Sequence, residues 1–329
     1  MKIYLKKCLP AIVLSFLFSF FALTTLEAKV KIHSIKSPNG DLELQVVTDT
    51  NISFCLLHKD NVLVTSPALS MTLKDGTILG PNAQVRKARK TDSREIIASP
   101  LYRKSQIVDQ YQQLDVNFRG GFGIRFRIYD QGAAYQFYTE LKDSLCVADE
   151  SAGFIFERDH TCYIPYSRGE ENPFQNSFEN VYSVIPVSEF DREKLAFLPL
   201  LVCLENGMKM ALTESDLESY PGMYLRGGKT ANGFEFKGVF APIPSKTVTE
   251  PGRGQVLASE YSDILAKTSG TRSFPWRIMA VATEDTELPV NDLVYILGAP
   301  NRAGNTDWIK PGKVAWDWWN NWGITGVDF

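Results

Sequence analysis

The strongest constraint in this chain is a period-two alternation of apolar and polar residues, repeated in short runs between turn signals. Ser37-Pro38-Asn39-Gly40-Asp41 is the first turn, and Leu42, Leu44 and Val46 alternate with polar neighbours after it. Apolar runs follow at 52–57, 62–64 and 69–73, with Lys74-Asp75-Gly76 as the next turn. Residues 114–118 and 124–129 repeat the pattern around Gly120-Gly121, and Asp130-Gln131-Gly132 leads into a returning strand at 134–138. Further strand patterns stand at 197–204, 208–213, 234–240 and 277–281. Successive strand side chains point to opposite faces, so each such run buries one face and wets the other. Many short strands, close turns and no sustained helical period before residue 285 predict a mainly β fold built as a large β-sandwich.

The N-terminus bears on the compartment. Lys2, Lys6 and Lys7 precede an uncharged apolar stretch over 9–23, and Leu26-Glu27-Ala28 offers a small residue for cleavage before Lys29. That layout predicts a signal peptide over 1–28, export to the periplasm and no membrane association after cleavage. The apolar stretch is short for a membrane span. Cys8 lies ahead of it, not at its end, which argues against a lipid-anchored cysteine. The formal charge of -3 gives no basic field, so no nucleic-acid partner is expected. Cys55, Cys146, Cys162 and Cys203 remain in the mature chain. Two bridges in three connectivities and four free thiols are both open. No cysteine pair has zinc-ligand spacing, and His33, His58 and His160 are scattered.

The texture changes twice. Residues 163–190 lose the alternation and collect polar and aromatic side chains, which predicts a long loop between strands, a common place for function. From 285 a helix-like apolar spacing over 288–297 ends in Gly298, Pro300 and Gly304. Trp308-Ile309-Lys310-Pro311-Gly312-Lys313 then forms a turn before Val314-Ala315-Trp316-Asp317-Trp318-Trp319-Asn320. A short apolar run ending in polar residues fits the first strand of a (β/α)8 barrel, whose site lies at the C-terminal ends of its strands. The predicted organisation is a sandwich at 29–284, a linker at 285–312 and the truncated start of a barrel at 313–329.

Several of these segments resemble one family, glycoside hydrolase family 97, the SusB-like α-glucosidases and α-galactosidases. The opening Ser37-Pro38-Asn39-Gly40 contributes least. Arg127-Ile128-Tyr129-Asp130-Gln131-Gly132-Ala133-Ala134-Tyr135 resembles the family's strand–turn–strand. Ala211-Leu212-Thr213-Glu214-Ser215-Asp216-Leu217 with Tyr220-Pro221-Gly222-Met223 is more specific, and 308–320 is the strongest match. The resemblance implies a galactose-mutarotase-like super-sandwich, a linker and a catalytic barrel of the same polypeptide, whose carboxylates lie beyond residue 329. It implies a calcium ion at the active site, with one ligand from the sandwich. The motif aromatic–Glu–two residues–Tyr places that ligand at Glu179, between Phe178 and Tyr182. The substrate implied is an α-linked oligosaccharide, with an inactive fragment when the barrel is absent. A non-catalytic carbohydrate-binding sandwich is the alternative, and a mutarotase-like enzyme is a second.

Other residues compete for the same roles. A carboxylate on an ordered loop can reach a hard cation held by another domain, which favours Glu179. Its plainer reading is a solvated loop charge, as for Glu170 and Glu171 beside Gly169. Asp317, Trp318, Trp319 and Asn320 are candidate substrate contacts, because a carboxylate in an apolar strand is costly unless bonded and a strand-end tryptophan can stack on a sugar. Neighbouring tryptophans also serve as core. Glu214 and Asp216 suggest an acid/base pair, but Thr213-Glu214-Ser215-Asp216 reads more simply as a capped turn. Arg226 before Gly227-Gly228 reads as surface charge able to reach a neighbouring domain.

Overall fold

A computed structural model describes residues 31–99, 102–168, 172–174, 177–252 and 254–314. The predicted signal peptide lies outside the described residues. The alternating runs form two ten-stranded antiparallel sheets packed face to face. The main path of the first sheet runs Ile32–Lys36, Leu42–Thr48, Ile52–His58, Asn61–Leu73, Gly153–Phe156, Gly233–Phe240 and Met223–Thr230, with Leu145–Ser151, Ala266–Thr268 and Ile78–Leu79 attached. The second runs Ser183–Pro186, Thr161–Ile164, Leu200–Cys203, Lys209–Ser215, Trp276–Ala282, Gly132–Glu140, Phe122–Tyr129, Gln106–Phe118 and Val85–Ala98. Thr271–Ser273 pairs beside Gly132–Glu140. A separate hairpin joins Pro244–Thr249 to Val256–Tyr261.

Alternation sets the core directly. Leu42, Leu44 and Val46 are buried from the first sheet, and Ile124, Phe126 and Ile128 from the second. Phe54 and Tyr135 meet between the layers with ring centroids 5.7 Å apart. The first turn forms as its residues require: Asn39 Oδ1 accepts the Asp41 backbone N–H at 3.0 Å, and Gly40 takes φ 82°.

Two expectations change, and one strand carries no sequence signal. The runs at 62–64 and 69–73 belong to one strand, Asn61–Leu73, with Pro67 inside it. Pairing with Ile52–His58 slips between Ser66 and Leu69, so the proline sits in a bulge where no ladder donor is needed. The predicted loop over 163–190 is shorter, because Thr161–Ile164 pairs with Ser183–Pro186 at the edge of the second sheet. Thr161–Ile164 does alternate, with Cys162 and Ile164 buried and Tyr163 exposed, but the edge strand Ser183–Pro186 has no fully buried residue and so lacks that signal. The longest strand, Val85–Ala98, has no apolar periodicity at all; it is the opposite edge and stays largely wet.

Residues 288–297 form a 3-10 turn at Leu288–Val290 and a short helix at Leu293–Ile296. Among the described residues no helix is long and apolar enough to cross a membrane. The short helix lays Leu293, Ile296 and Leu297 over Trp276, Ile278 and Tyr129 on the outer face of the second sheet. Asp292 pins it, accepting from Arg103 Nη2 and Lys104 Nζ at 2.5 Å each and from the Tyr102 hydroxyl at 3.1 Å. Burial alone would raise the Asp292 carboxyl, but Lys104, Arg103 and Tyr102 outweigh it and hold it below the ordinary carboxylate range. The unfolded segment then binds protons more readily than the docked one, so docking is fully supported above about pH 4 and weakens as pH falls. The protection factors of amides 293–297, taken against the intrinsic exchange rate at each pH, should fall on acidification below that range, and Asp292→Asn should remove that fall while lowering protection at neutral pH.

Candidate functional site

The loop carrying Glu179 is built on aromatic rings. Phe178 packs edge-on to Tyr182 at 5.0 Å and lies 6.1 Å from Phe197. Phe197 contacts Tyr224 at 5.1 Å, and Phe174 contacts Tyr224 at 5.2 Å and Tyr261 at 6.2 Å. Polar ties complete the support: Asn172 Nδ2 donates to the Tyr261 hydroxyl at 3.0 Å, Asn180 Nδ2 to the Tyr166 carbonyl at 3.2 Å, and Ser167 Oγ to the Pro173 carbonyl at 2.7 Å. Met223–Thr230 supplies Tyr224, and the root of the separate hairpin supplies Tyr261. Tyr182 supports the loop through its contact with Phe178.

Glu179 itself points to solvent, its side chain 69% exposed. Arg168 Nη2 donates to its Oε2 at 2.6 Å, and Ser177 Oγ lies 3.4 Å from Oε1. An exposed pair of this kind contributes little to stability. Chemically, it is an accessible carboxylate on a supported loop, held by a cation that another positive group can replace. Calcium takes about six to eight oxygens, so Glu179 fits one ligand and not a whole site. Among the described residues no group of three or more His, Cys, Asp or Glu side chains could hold a metal ion. Glu170 and Glu171 lie outside the described residues, as do Asp317, Trp318, Trp319 and Asn320.

Glu214 is not part of a turn. It belongs to Lys209–Ser215 and, with Glu150 of Leu145–Ser151, closes on Arg277 of Trp276–Ala282. Arg277 Nε and Nη2 donate to Glu150 at 2.9 and 2.8 Å, and Nη1 donates to Glu214 at 2.5 Å. Glu214 also accepts the Met223 backbone N–H at 3.0 Å. The Arg277 and Glu150 side chains are 1% and 3% exposed, which closes them to substrate. Burial opposes the Arg277 charge, but Glu150 and Glu214 more than offset it, and the guanidinium holds its proton more tightly than usual. A charged residue in the apolar run at 277–281 was the sequence signal for this cluster, since such a residue demands a partner. Asp216 does sit in a turn, at φ 64°, and accepts the Ala299 N–H at 3.1 Å. Arg226 is exposed, as its reading as surface charge requires.

The four cysteines are free. Burial pushes the Cys55 thiol up to about 11, which keeps it protonated. The histidines are less scattered than their sequence positions suggest: His58 and His160 line one cavity of about 150 Å3 with Glu157 and Glu205.

Comparison with known proteins decides the family. Residues 35–300 match the model described as Glycosyl-hydrolase 97 N-terminal. The chain belongs to that family. It is 39% identical over 303 residues, 90% of its length, to a retaining alpha-galactosidase of Bacteroides thetaiotaomicron. It spans only about half of that relative, 45% of its length. A glycoside hydrolase family 97 enzyme from Pseudoalteromonas sp. strain K8, solved in complex with acarbose, superposes with TM-score 0.70 at 20% identity, over 85% of this chain and 40% of that one. A β-arabinopyranosidase superposes with TM-score 0.63 at 19% identity, over 77% of this chain and 40% of that one. At these identities the solved structures show the shared sandwich fold.

The two clusters separate in a stability experiment. Arg277→Leu leaves two carboxylates buried without their cation and should lower urea-unfolding stability by about 3–5 kcal/mol. Glu179→Gln should stay within about 0.5 kcal/mol of the parent in the same measurement.

Proposed function

We propose that this chain is the N-terminal half of an exported, calcium-dependent α-glycosidase acting on α-galactosides with retention. The observation that carries the reading is the 39% identity to the Bacteroides retaining alpha-galactosidase, sustained over 90% of this chain. The neighbour solved with acarbose, and another from the same strain solved with panose, are in keeping with an α-linked oligosaccharide as substrate. Export rests on the charged and apolar pattern of residues 1–28.

In this reading the bond is broken by two carboxylates on a following (β/α)8 barrel, through an oxocarbenium-like transition state. The sandwich contributes position and one ligand. Glu179 would be the sandwich's ligand to the ion, in exchange for its present pairing with Arg168. Phe174, Phe178 and Phe197 keep the loop from paying its ordering entropy at that moment. Calcium, when bound, supplies polarisation and orientation of the reacting groups. Asp317, Trp318, Trp319 and Asn320 would begin the barrel and contribute hydrogen bonds and a stacking face to the sugar.

The chain alone should not turn over p-nitrophenyl α-galactoside and should bind calcium only weakly by calorimetry. Joined after residue 314 to the remaining part of the Bacteroides relative, it should give calcium-dependent turnover. Glu179→Gln should then raise the calcium needed for half-maximal rate by about tenfold. Turnover by the chain alone, or a calcium requirement untouched by Glu179→Gln, would overturn the shared-site reading.

A further inference from the structure

The outer face of the second sheet is divided. Leu293, Ile296 and Leu297 cover one part. Elsewhere an open groove of about 700 Å3 crosses Val85–Ala98, Gln106–Phe118, Phe122–Tyr129 and Gly132–Glu140. Gly123 pairs with Asn117 on one side and Tyr138 on the other, and its missing side chain lets the Tyr138 ring lie flat at the floor of the groove. A Cβ at Gly123 would lie 2.3 Å from the Tyr138 ring, so the ring lies directly over the glycine.

The lining is rich in positive charge. Arg86, Lys87, Arg89, Arg125 and Arg272 face it, against Asp115 and Glu140, a local excess of three in a chain whose net charge is -3. Asp115 is already satisfied by Arg125 Nε at 3.3 Å and by the Tyr138 hydroxyl at 2.6 Å. Arg86, Lys87 and Arg89 are exposed and have no ion-pair partner among the described residues. Edge strands often carry lysine and arginine to discourage strand addition, which accounts for charge on Val85–Ala98 alone. It does not account for a groove that continues inward over Gln113, Asn117 and Arg125.

The kind of recognition follows from what the lining offers. Tyr138 is the aromatic residue of the groove, and it is 8% exposed with the Arg125 guanidinium 5.2 Å from its ring centre. No free ring face is left for the apolar side of a neutral sugar. What remains is the amides of Gln113 and Asn117, four residues and so about 13 Å apart along one strand. Gln113 Oε1 accepts from Arg127 Nε at 2.9 Å, which leaves its amide N–H groups to donate. Beside them stand guanidinium forks that match carboxylate and sulfate oxygens.

We propose that this groove binds an anionic oligosaccharide, with its carboxylate or sulfate groups on Lys87 and Arg89 and its hydroxyls on Gln113 and Asn117. The site is independent of Glu179, which lies beyond the opposite edge of the same sheet. Its loss would leave the proposed calcium site untouched.

Calorimetric titration of the chain with tetragalacturonate, a chondroitin sulfate tetrasaccharide and maltotetraose tests it. One or both anionic sugars should bind, with maltotetraose at least about tenfold weaker. Affinity should fall sharply in about 0.5 M salt. Lys87→Gln and Arg89→Gln should each weaken binding about fivefold. Lys90→Gln makes the same charge change on the same strand, outside the groove lining, and should stay within about twofold. Equal binding of maltotetraose, no binding of either anionic sugar, displacement by an equal concentration of inorganic sulfate, or an equal loss in Lys90→Gln would each overturn the proposal.

Discussion

Two carboxylates from different sheets close on one guanidinium, and much of the molecule is aligned by that contact. Glu150 reaches Arg277 from the first sheet and Glu214 from a neighbouring strand of the second. A buried ion pair of this kind adds little net stability, because desolvation consumes most of the attraction. Its value here is geometric, since a bidentate fork accepts one arrangement. Glu214 passes that alignment to the Met223 backbone, and Tyr224 is the next residue. Tyr224 is the ring on which Phe174 and Phe197 rest, and Phe178 beside Glu179 rests on Phe197. An unbroken series of contacts therefore joins the centre of the sandwich to the exposed carboxylate.

The inner strands were legible because burial on one face imposes a period of two. Leu42, Leu44 and Val46 show it, as do Ile124, Phe126 and Ile128. Edge strands escape the rule. Val85–Ala98 has water on most of its surface, so polar residues fill it and only pairing with Gln106–Phe118 makes it a strand. The position of Glu179 came from a motif; its exposure, its pairing with Arg168 and the rings under the loop did not. Those depend on residues 168, 197, 224 and 261, brought together by sheet topology. Glu214 was misread locally because Thr213-Glu214-Ser215-Asp216 has turn composition, while its real partner is 63 residues away at Arg277.

The surface is specialised by region. The edge of the second sheet near Ser183–Pro186 adjoins an aromatic loop with an exposed carboxylate paired to Arg168. The opposite edge carries unpaired cations and a polar groove. Between them, the outer face is closed by the docked segment around Leu293 and Asp292. Either edge can change without disturbing the core between the sheets, because loops and edges tolerate change that packed strands do not.

Trp276–Ala282 is buried along its whole length and sits between Lys209–Ser215 and Gly132–Glu140. It is thus a central strand of the second sheet and also the last strand of the chain among the described residues. A polypeptide emerging from its N-terminus presents both neighbours long before the strand that must join them. Until it arrives, the second sheet is two separate halves with open edges, and the carboxylates of Glu150 and Glu214 lack their cation. Assembly is therefore held back until nearly the whole sandwich is available, and then proceeds through distant pairings that are slow to find.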